Sequence, residues 1–124
     1  MKLEDLQVYQ ISMKLANEIH ELIMSWDNFH KFSTGTQLIN AADSISANIS
    51  EGYGRFHFKD HINFLYFSRG SLYETKTWLV KSVNRKLIPE DQYTDLIKQY
   101  DTLGVKLNNY IKTIGNTGTA NSNK

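Results

Sequence analysis

Apolar residues recur at every third or fourth position in four separate segments of this chain, and that spacing constrains its fold more than any other feature. Residues three and four positions apart share one face of an α-helix, so each segment predicts a helix with one apolar stripe. The segments cover residues 3–26, 36–52, 58–85 and 90–115. The most regular stripe, in the fourth segment, consists of Tyr93, Leu96, Ile97, Tyr100, Leu103, Leu107, Tyr110, Ile111 and Ile114. The chain is therefore expected to be all-α.

The connections between the predicted helices are short and contain residues that end or begin helices. Gly52 and Gly54 can adopt the positive φ values that stop a helix and reverse the chain. Pro89 presets the φ of a first helical turn, and the acids Glu90 and Asp91 favour the positive end of the helix dipole. Helices joined in this way bury their stripes most simply as an antiparallel, up-down-up-down four-helix bundle.

A chain of 124 residues is long enough for one such domain and too short for two independent cores. We predict that residues 1–115 form the four-helix bundle domain, with the fourth helix closed by Gly115. Residues 116–124 contain one apolar side chain, Ala120, so we expect a disordered C-terminal tail.

Several residues outside the main stripes predict further packing. A second apolar set widens the arc of the first helix and predicts contact with another subunit; it consists of Tyr9, Met13, Ala16 and Ile23. Gly70 lies inside the third helix, where glycine costs about 1 kcal/mol relative to alanine, so we expect close packing there. The second helix is predicted to be the shortest, which leaves one end of the bundle to be covered by Phe29, Phe32 and Phe56.

Composition excludes several kinds of site. The chain has no cysteine, so disulfides, thiolate zinc sites and cysteine nucleophiles are excluded, and a reducing cytoplasm is the expected location. No apolar run reaches the roughly 20 residues that a membrane span requires. The acidic start at Glu4 and Asp5 does not resemble a signal peptide. We therefore expect a cytoplasmic domain with no membrane partner.

Charge is unevenly distributed although the net charge is only +1. Residues 1–54 hold three lysines and seven acids, whereas residues 55–86 hold seven Lys or Arg and two acids. The candidate RNA-binding residues are therefore Arg55, Lys59, Arg69, Lys76, Lys81, Arg85 and Lys86. The interleaved aromatics Tyr66, Phe67, Tyr73 and Trp78 are candidates for stacking on bases. The alternative is that these aromatics are core and the cations only solvate the outer surface.

No catalytic or metal-binding motif stands out in the sequence. His57 and His61 have the spacing of two metal ligands, with Glu51 as a conceivable third, but such a pair is common by chance, and we expect no metal and no cofactor. Serine nucleophile and phosphate-loop motifs are missing. Five polar residues could meet between the second and third helices: Ser44, Asn48, Glu51, Ser71 and Glu74. They predict either a hydrogen-bonded structural cluster or, as the alternative, the active site of a small enzyme.

Several motifs resemble those of the four-helix bundle proteins of the 23S rRNA intervening-sequence family. They are Leu6-Gln7-Val8-Tyr9-Gln10, Ala41-Ala42-Asp43-Ser44-Ile45, Asn48-Ile49-Ser50-Glu51-Gly52-Tyr53-Gly54-Arg55, Phe64-Leu65 and Gly70-Ser71-Leu72-Tyr73-Glu74. The resemblance spans nearly the whole chain before its tail. It implies an antiparallel bundle that assembles as a ring, usually a homopentamer, without enzymatic activity.

A branch similar to this family, the accessory proteins of diversity-generating retroelements, forms rings that bind RNA and a reverse transcriptase. The resemblance thus implies copies of the chain itself as the first partner, and RNA or an RNA-associated protein as the second. The sequence departs from the family where many members carry Ile-Arg-Arg-Ala, since it reads Ile39-Asn40-Ala41. The expected function is a non-catalytic, ring-forming interaction or scaffold protein.

Overall fold

The computed structural model describes the backbone over residues 1–122 and the side chains over residues 1–117. Over these residues the chain is helical and contains no strand. A short 3-10 turn, Leu3–Asp5, precedes the helices α1 (Gln7–Met24), α2 (Asn28–Lys31), α3 (Thr34–Tyr53), α4 (Phe58–Asn84) and α5 (Glu90–Ser122). The four long helices correspond to the four predicted segments, and α2 is a single turn inside the first connection. The predicted all-α four-helix fold is confirmed.

Pairs of residues in contact show that neighbouring long helices run antiparallel. Hydrogen-bonded pairs follow opposite orders along neighbouring helices: Thr34 with Arg85 and Ile45 with Ser68 join α3 to α4, and Arg69 with Asn108 and Lys76 with Asp101 join α4 to α5. The chain just before α1 meets the end of α3 through Met1 and Tyr53, and Gln7 at the start of α1 meets Lys106 of α5. The helix α1 packs on α3 and α5, and α4 also packs on α3 and α5. The helices α1 and α4 therefore occupy opposite corners of the bundle.

The core is formed by the stripes that the sequence predicts. The largest side chains with essentially no exposure include Tyr100, Leu15, Ile19, Ile45, Leu65, Leu79, Leu103 and Leu107, which come from all four long helices. Burying one such leucine or isoleucine stabilises the fold by about 1.5–3 kcal/mol. No helix in the described part of the chain combines the length and apolarity needed to cross a membrane.

The structure differs from the prediction at the ends of two helices. The helix α5 continues through Gly115 to Ser122, where the sequence predicted the helix end and a disordered tail over residues 116–124. A Cβ at Gly115 would lie 3.6 Å from Ile62 Cδ1, so α5 still packs on α4 at this point, and one glycine lowers helix propensity without ending the helix. Residues 123–124 lie outside the described residues. The second long helix is not the shortest, because α3 has 20 residues and α1 has 18.

The three phenylalanines expected to cover one end of the bundle do not do so. Phe29 is 75%, Phe32 73% and Phe56 93% exposed. Trp26 and Ile88 are buried in the core cluster instead. Asp27 caps α2 by accepting a hydrogen bond from the backbone N of His30, and the short helix so formed leaves Phe29 and Phe32 on the outside.

Neither of the two glycines at the corner between α3 and α4 is required by its φ angle, and Gly52 is required by a close contact between the helices. Neither has a positive φ, contrary to the prediction, and the one positive φ among the described residues is 60° at Lys86, in the turn between α4 and α5. A Cβ on Gly52 would lie 3.0 Å from the carbonyl oxygen of His61 and 3.0 Å from Phe64 Cβ. Gly52 therefore permits α3 to touch the backbone of α4.

We predict that Gly52→Ala lowers the free energy of unfolding by about 1–3 kcal/mol, because the new methyl group meets a backbone oxygen that cannot move aside. Gly54→Ala is the matched control, since the nearest atoms to its Cβ lie at 3.7 and 3.8 Å. Urea denaturation followed by circular dichroism measures both. Equal stability of the two variants would contradict the close approach at Gly52.

Candidate functional site

Four cations on α4 and at the corner before it are each stacked on an aromatic ring. The distances from cation to ring centroid are 4.5 Å for Lys81 on Trp78, 4.8 Å for Arg55 on Phe64, 4.9 Å for Arg69 on Tyr66 and 5.8 Å for Lys76 on Tyr73. Such contacts are worth about 0.5–1 kcal/mol at exposed sites. They hold both the cations and the rings in defined positions on one helix.

Four of the seven candidate RNA-binding cations also have polar partners within the chain. Arg55 donates to Glu51 Oε1 at 2.7 Å, so this arginine pairs at the corner instead of standing free. The other three donate to residues of neighbouring helices: Arg69 to Asn108, Lys76 to Asp101 and Arg85 to Thr34. These three cations lie at the seams of α4 with α5 or α3.

The remaining three candidates, Lys59, Lys81 and Lys86, are exposed. Within the described side chains, no salt bridge or side-chain hydrogen bond engages their ammonium groups. Lys59 and Lys81 lie on the surface of α4 that faces away from the core, whereas Lys86 is in the turn after it. The seven cations are thus spread over two seams, the outward side of α4 and the two turns that flank it, and their RNA binding stays a prediction.

Three aromatic side chains and a glycine form a patch on α4 that we name the outer face. Tyr66 is 45%, Phe67 58% and Tyr73 59% exposed, so these rings are not core, whereas Trp78 is half-buried. Gly70 lies among them, and a Cβ placed there would have nothing within 4 Å. The prediction that Gly70 marks close packing is therefore wrong within the chain. The outer face is an exposed patch of three aromatic rings around a glycine whose Cβ position is open.

The five polar residues between α3 and α4 do not form a network. Ser44 Oγ donates to the carbonyl oxygen of Asn40, and Asn48 Nδ2 donates to that of Ser44, so both bond within α3. Glu51 pairs with Arg55, Glu74 is exposed, and the carbonyl oxygen of Ser71 accepts from Thr75 in the same helix. Among the described residues, no hydrogen bond joins the α3 members to Ser71 or Glu74. The predicted cluster does not assemble.

A different serine makes the buried polar contact between these helices. Ser68 is fully buried, and its Oγ donates to the carbonyl oxygen of Ile45 at 2.8 Å. The sequence allows the burial of Ser68 to be predicted, because this residue lies on the apolar stripe between Leu65 and Leu72. A serine on an apolar stripe must find a hydrogen-bond partner, here a backbone carbonyl.

His57 and His61 differ in their exposure to solvent. His57 is exposed at the N-cap of α4, whereas His61 is 9% exposed and lies between Tyr53 and Tyr110, with ring centroids 6.5 and 5.8 Å away. Its Nε2 is buried without a hydrogen-bond partner. Burial lowers the pKa of His61. Over the part of the chain that the structure describes, no group of three or more His, Asp or Glu side chains is placed to hold a metal ion.

An acidic groove of about 740 Å³ lies between α1 and α5. Its carboxylates are Glu18, Glu21 and Asp95, and Leu22 and Leu96 contribute apolar surface. Tyr100 is buried in the core behind these helices, and its pKa is raised by burial, with smaller contributions from the charges of Glu18 and Asp43. Sequence reasoning missed this groove because its residues come from the first and last helices, which only the tertiary fold brings together.

Comparison with known proteins identifies the family. Residues 4–109 match the family described as 23S rRNA-intervening sequence protein. The chain belongs to this family. A crystal structure of a protein with unknown function from the S23 ribosomal protein family of Bacteroides thetaiotaomicron has the same fold: the TM-score is 0.79 at 27% identity, over 85% of this chain and 95% of that one. A comparison with curated proteins finds no match.

The motifs that carry the family resemblance have structural roles at the α3–α4 corner. Glu51 accepts the hydrogen bond of Arg55, and Arg55 also stacks on Phe64. Gly52 allows α3 to touch α4, and Tyr53 OH donates to the carbonyl oxygen of Met1 at 2.6 Å. This family segment therefore connects α3, α4 and the start of the chain.

We predict that the free energy of unfolding decreases as the pH falls from 7.5 to 5.5. The folded protein keeps the His61 pKa below the unfolded value of 6.5, so only the unfolded chain gains a proton near that pH, and stability is lost as the pH falls through it. Urea denaturation at several pH values measures the slope. In His61→Gln the slope should be smaller, and the matched control is His57→Gln, at the exposed N-cap of α4. Equal slopes in wild type and His61→Gln would contradict the assignment.

Proposed function

We propose that this protein is a non-catalytic scaffold that assembles with copies of itself into a ring in the cytoplasm. The observation that carries the proposal is the outer face of α4, where Tyr66, Phe67 and Tyr73 are exposed around Gly70. Clustered exposed aromatic surface is typical of interaction sites, because aromatic side chains contribute large buried areas to interfaces. The resemblance to the family implies a ring, usually of five copies, and a ring requires such a face on each copy.

The placement of the polar residues supports a non-catalytic role. The side chains of Ser44 and Asn48 donate to carbonyl oxygens of their own helix. The carboxylate of Glu51 is paired with Arg55, and Glu74 stands alone in solvent. A nucleophile beside an oriented base is the arrangement that an enzyme of this kind would need. The five residues do not converge in that way, which disfavours the alternative of a small enzyme.

Structured RNA, or a protein that carries it, is the second proposed partner. The exposed lysines Lys59, Lys81 and Lys86 favour it, and Lys81 lies over the ring of Trp78. One copy offers only a few such charges, which gives weak binding to phosphates. A ring repeats them at fixed spacing, so an RNA that contacts several copies binds by avidity.

We predict that the purified protein is oligomeric in solution. Size-exclusion chromatography with multi-angle light scattering should give a mass about five times the chain mass of 14.3 kDa. The measurement is made over a range of protein concentrations, so that a stable ring is distinguished from weak association. A mass of 14.3 kDa at all concentrations would overturn the proposal.

We also predict salt-dependent binding of total bacterial RNA, measured by filter binding at two salt concentrations. Phosphate contacts release counterions, so affinity should fall steeply at the higher concentration. Lys59→Gln/Lys81→Gln should weaken binding, whereas Lys98→Gln/Lys112→Gln, which removes two exposed lysines from α5, should have little effect. An equal loss in both variants would show that net charge alone is responsible, and an oligomer without RNA binding would leave a scaffold for proteins only.

A further inference from the structure

We propose that the pocket between α2, the start of α3 and the end of α4 binds one nucleotide, with its base stacked on Phe29 and its phosphate held by Arg85. The pocket has a volume of about 520 Å³, within the range of about 300–1,000 Å³ that is typical of small-ligand sites. A free nucleotide and an unpaired nucleotide of an RNA strand share this chemistry. Where the nucleotide belongs to RNA, the inference rests on the proposed RNA binding and gives it a site that recognises a base.

Phe29 provides the aromatic surface for a base. Its side chain lines the pocket and is 75% exposed. Asp27 caps α2, and Ser33 Oγ donates to the carbonyl oxygen of Phe29 at 2.6 Å, so hydrogen bonds hold the backbone of this single turn at both ends. The Lys81 ammonium lies 4.5 Å from the centroid of the Trp78 ring in the same pocket, whereas no cation covers Phe29 among the described side chains. An exposed ring on a fixed backbone is a platform on which a base stacks.

Arg85 provides the positive charge for a phosphate. Its Nη1 donates to Thr34 Oγ1 at 2.7 Å, and Thr34 is buried, so this hydrogen bond fixes the guanidinium at the wall of the pocket. The partner is a neutral hydroxyl, which leaves the charge of Arg85 uncompensated. Within the described side chains, no carboxylate forms a salt bridge with it. A guanidinium has five N–H donors, so the remaining ones suit the two parallel hydrogen bonds that arginine makes to phosphate.

The charge of the pocket favours an anion. None of its seven lining residues is acidic, in contrast to the groove between α1 and α5. Asp27, the cap of α2, is not in the lining, and its two carboxylate oxygens bond to the backbone N and to Nδ1 of His30, at 3.1 and 2.8 Å. The positive charge of Arg85 therefore faces the pocket without a competing carboxylate in its lining.

The combination of groups selects a nucleotide among small anions. An inorganic anion would use Arg85 and leave the exposed ring of Phe29 without a contact, and an uncharged aromatic compound would leave Arg85 without a counterion. Gln37 also lines the pocket and is exposed, and no hydrogen bond engages its side chain in the described part of the chain. Its amide offers two donors and an acceptor, a set that pairs with the edge of adenine. Adenosine 5′-monophosphate (AMP) carries the flat base, the polar edge and the phosphate together.

Isothermal titration calorimetry of the full chain with AMP, adenosine and inorganic phosphate tests the site. AMP should bind with one molecule per chain and more tightly than either of its parts. Phe29→Ala should weaken the binding of both AMP and adenosine by roughly fivefold or more, because it removes the stacking surface. Arg85→Gln should weaken the binding of AMP by roughly tenfold and leave that of adenosine unchanged, because only AMP carries the phosphate.

Two matched variants control for the loss of a ring and of a charge. Phe32→Ala removes a ring that is 73% exposed and lies three positions further along the chain, outside the lining of the pocket. Lys112→Gln removes an exposed cation from α5. Both should bind AMP like the wild type. Phe29 and Arg85 are exposed, so their variants should keep the thermal stability of the wild type. Equal losses of AMP binding in Phe29→Ala and Phe32→Ala would overturn the proposal.

Single-stranded oligoadenylate RNA and its duplex with oligouridylate distinguish the two sources of the nucleotide. Tighter binding of the single strand than of AMP or the duplex, weakened by Phe29→Ala, supports a nucleotide of RNA. Binding of AMP without binding of RNA supports a free nucleotide and overturns the proposed RNA contact. RNA binding that resists both Phe29→Ala and Arg85→Gln keeps the proposed RNA contact and overturns the nucleotide pocket. Binding of neither AMP nor the single strand overturns it as well.

Discussion

The close antiparallel packing of α3 on α4 is the contact on which the rest of this structure depends. Small residues of α3, including Ala41, Ala42 and Gly52, are buried and allow the two backbones to approach. Gly52 leaves room for the carbonyl oxygen of His61, which would lie 3.0 Å from a Cβ at this position, and Ser68 Oγ donates to the carbonyl oxygen of Ile45. These contacts set the rotation of α4 about its own axis. The direction of every other α4 side chain follows from that rotation.

In this orientation, α4 exposes aromatic rings and cations on the side that faces away from the core. Leu65, Leu72 and Leu79 fill the core, so the rings of Tyr66 and Tyr73 have no space inside and remain on the surface. The cations beside them stack on rings or pair with α3 and α5, which holds both in place. The opposite corner of the bundle carries the acids of α1. In a nearly neutral chain, acids of α1 and cations of α4 thus lie at opposite corners of the bundle.

Predictions from the sequence failed where the burial of a helical residue depended on how a neighbouring helix packs against it. Gly70 was expected in a close contact, yet it lies on the side of α4 that no other helix covers. Ser44 was predicted to meet Ser71 across the two helices, but its hydroxyl donates to the carbonyl oxygen of Asn40 in its own helix. Ser68, which lies on the buried stripe of α4, makes the hydrogen bond between α3 and α4 that was predicted for Ser44 and Ser71. The relative rotation of α3 and α4 decided all of these cases.

Local periodicity and short connections were sufficient to predict the four long helices, their order and the residues of the core, because an antiparallel bundle is the simplest burial of four stripes. The corner motif also pointed to the family. The exposure of the α4 aromatics, the partners of the cations and the acidic groove between α1 and α5 could be seen in the folded chain alone. Those properties depend on contacts between residues far apart in the chain, and a pattern read along one helix carries no information about its neighbours.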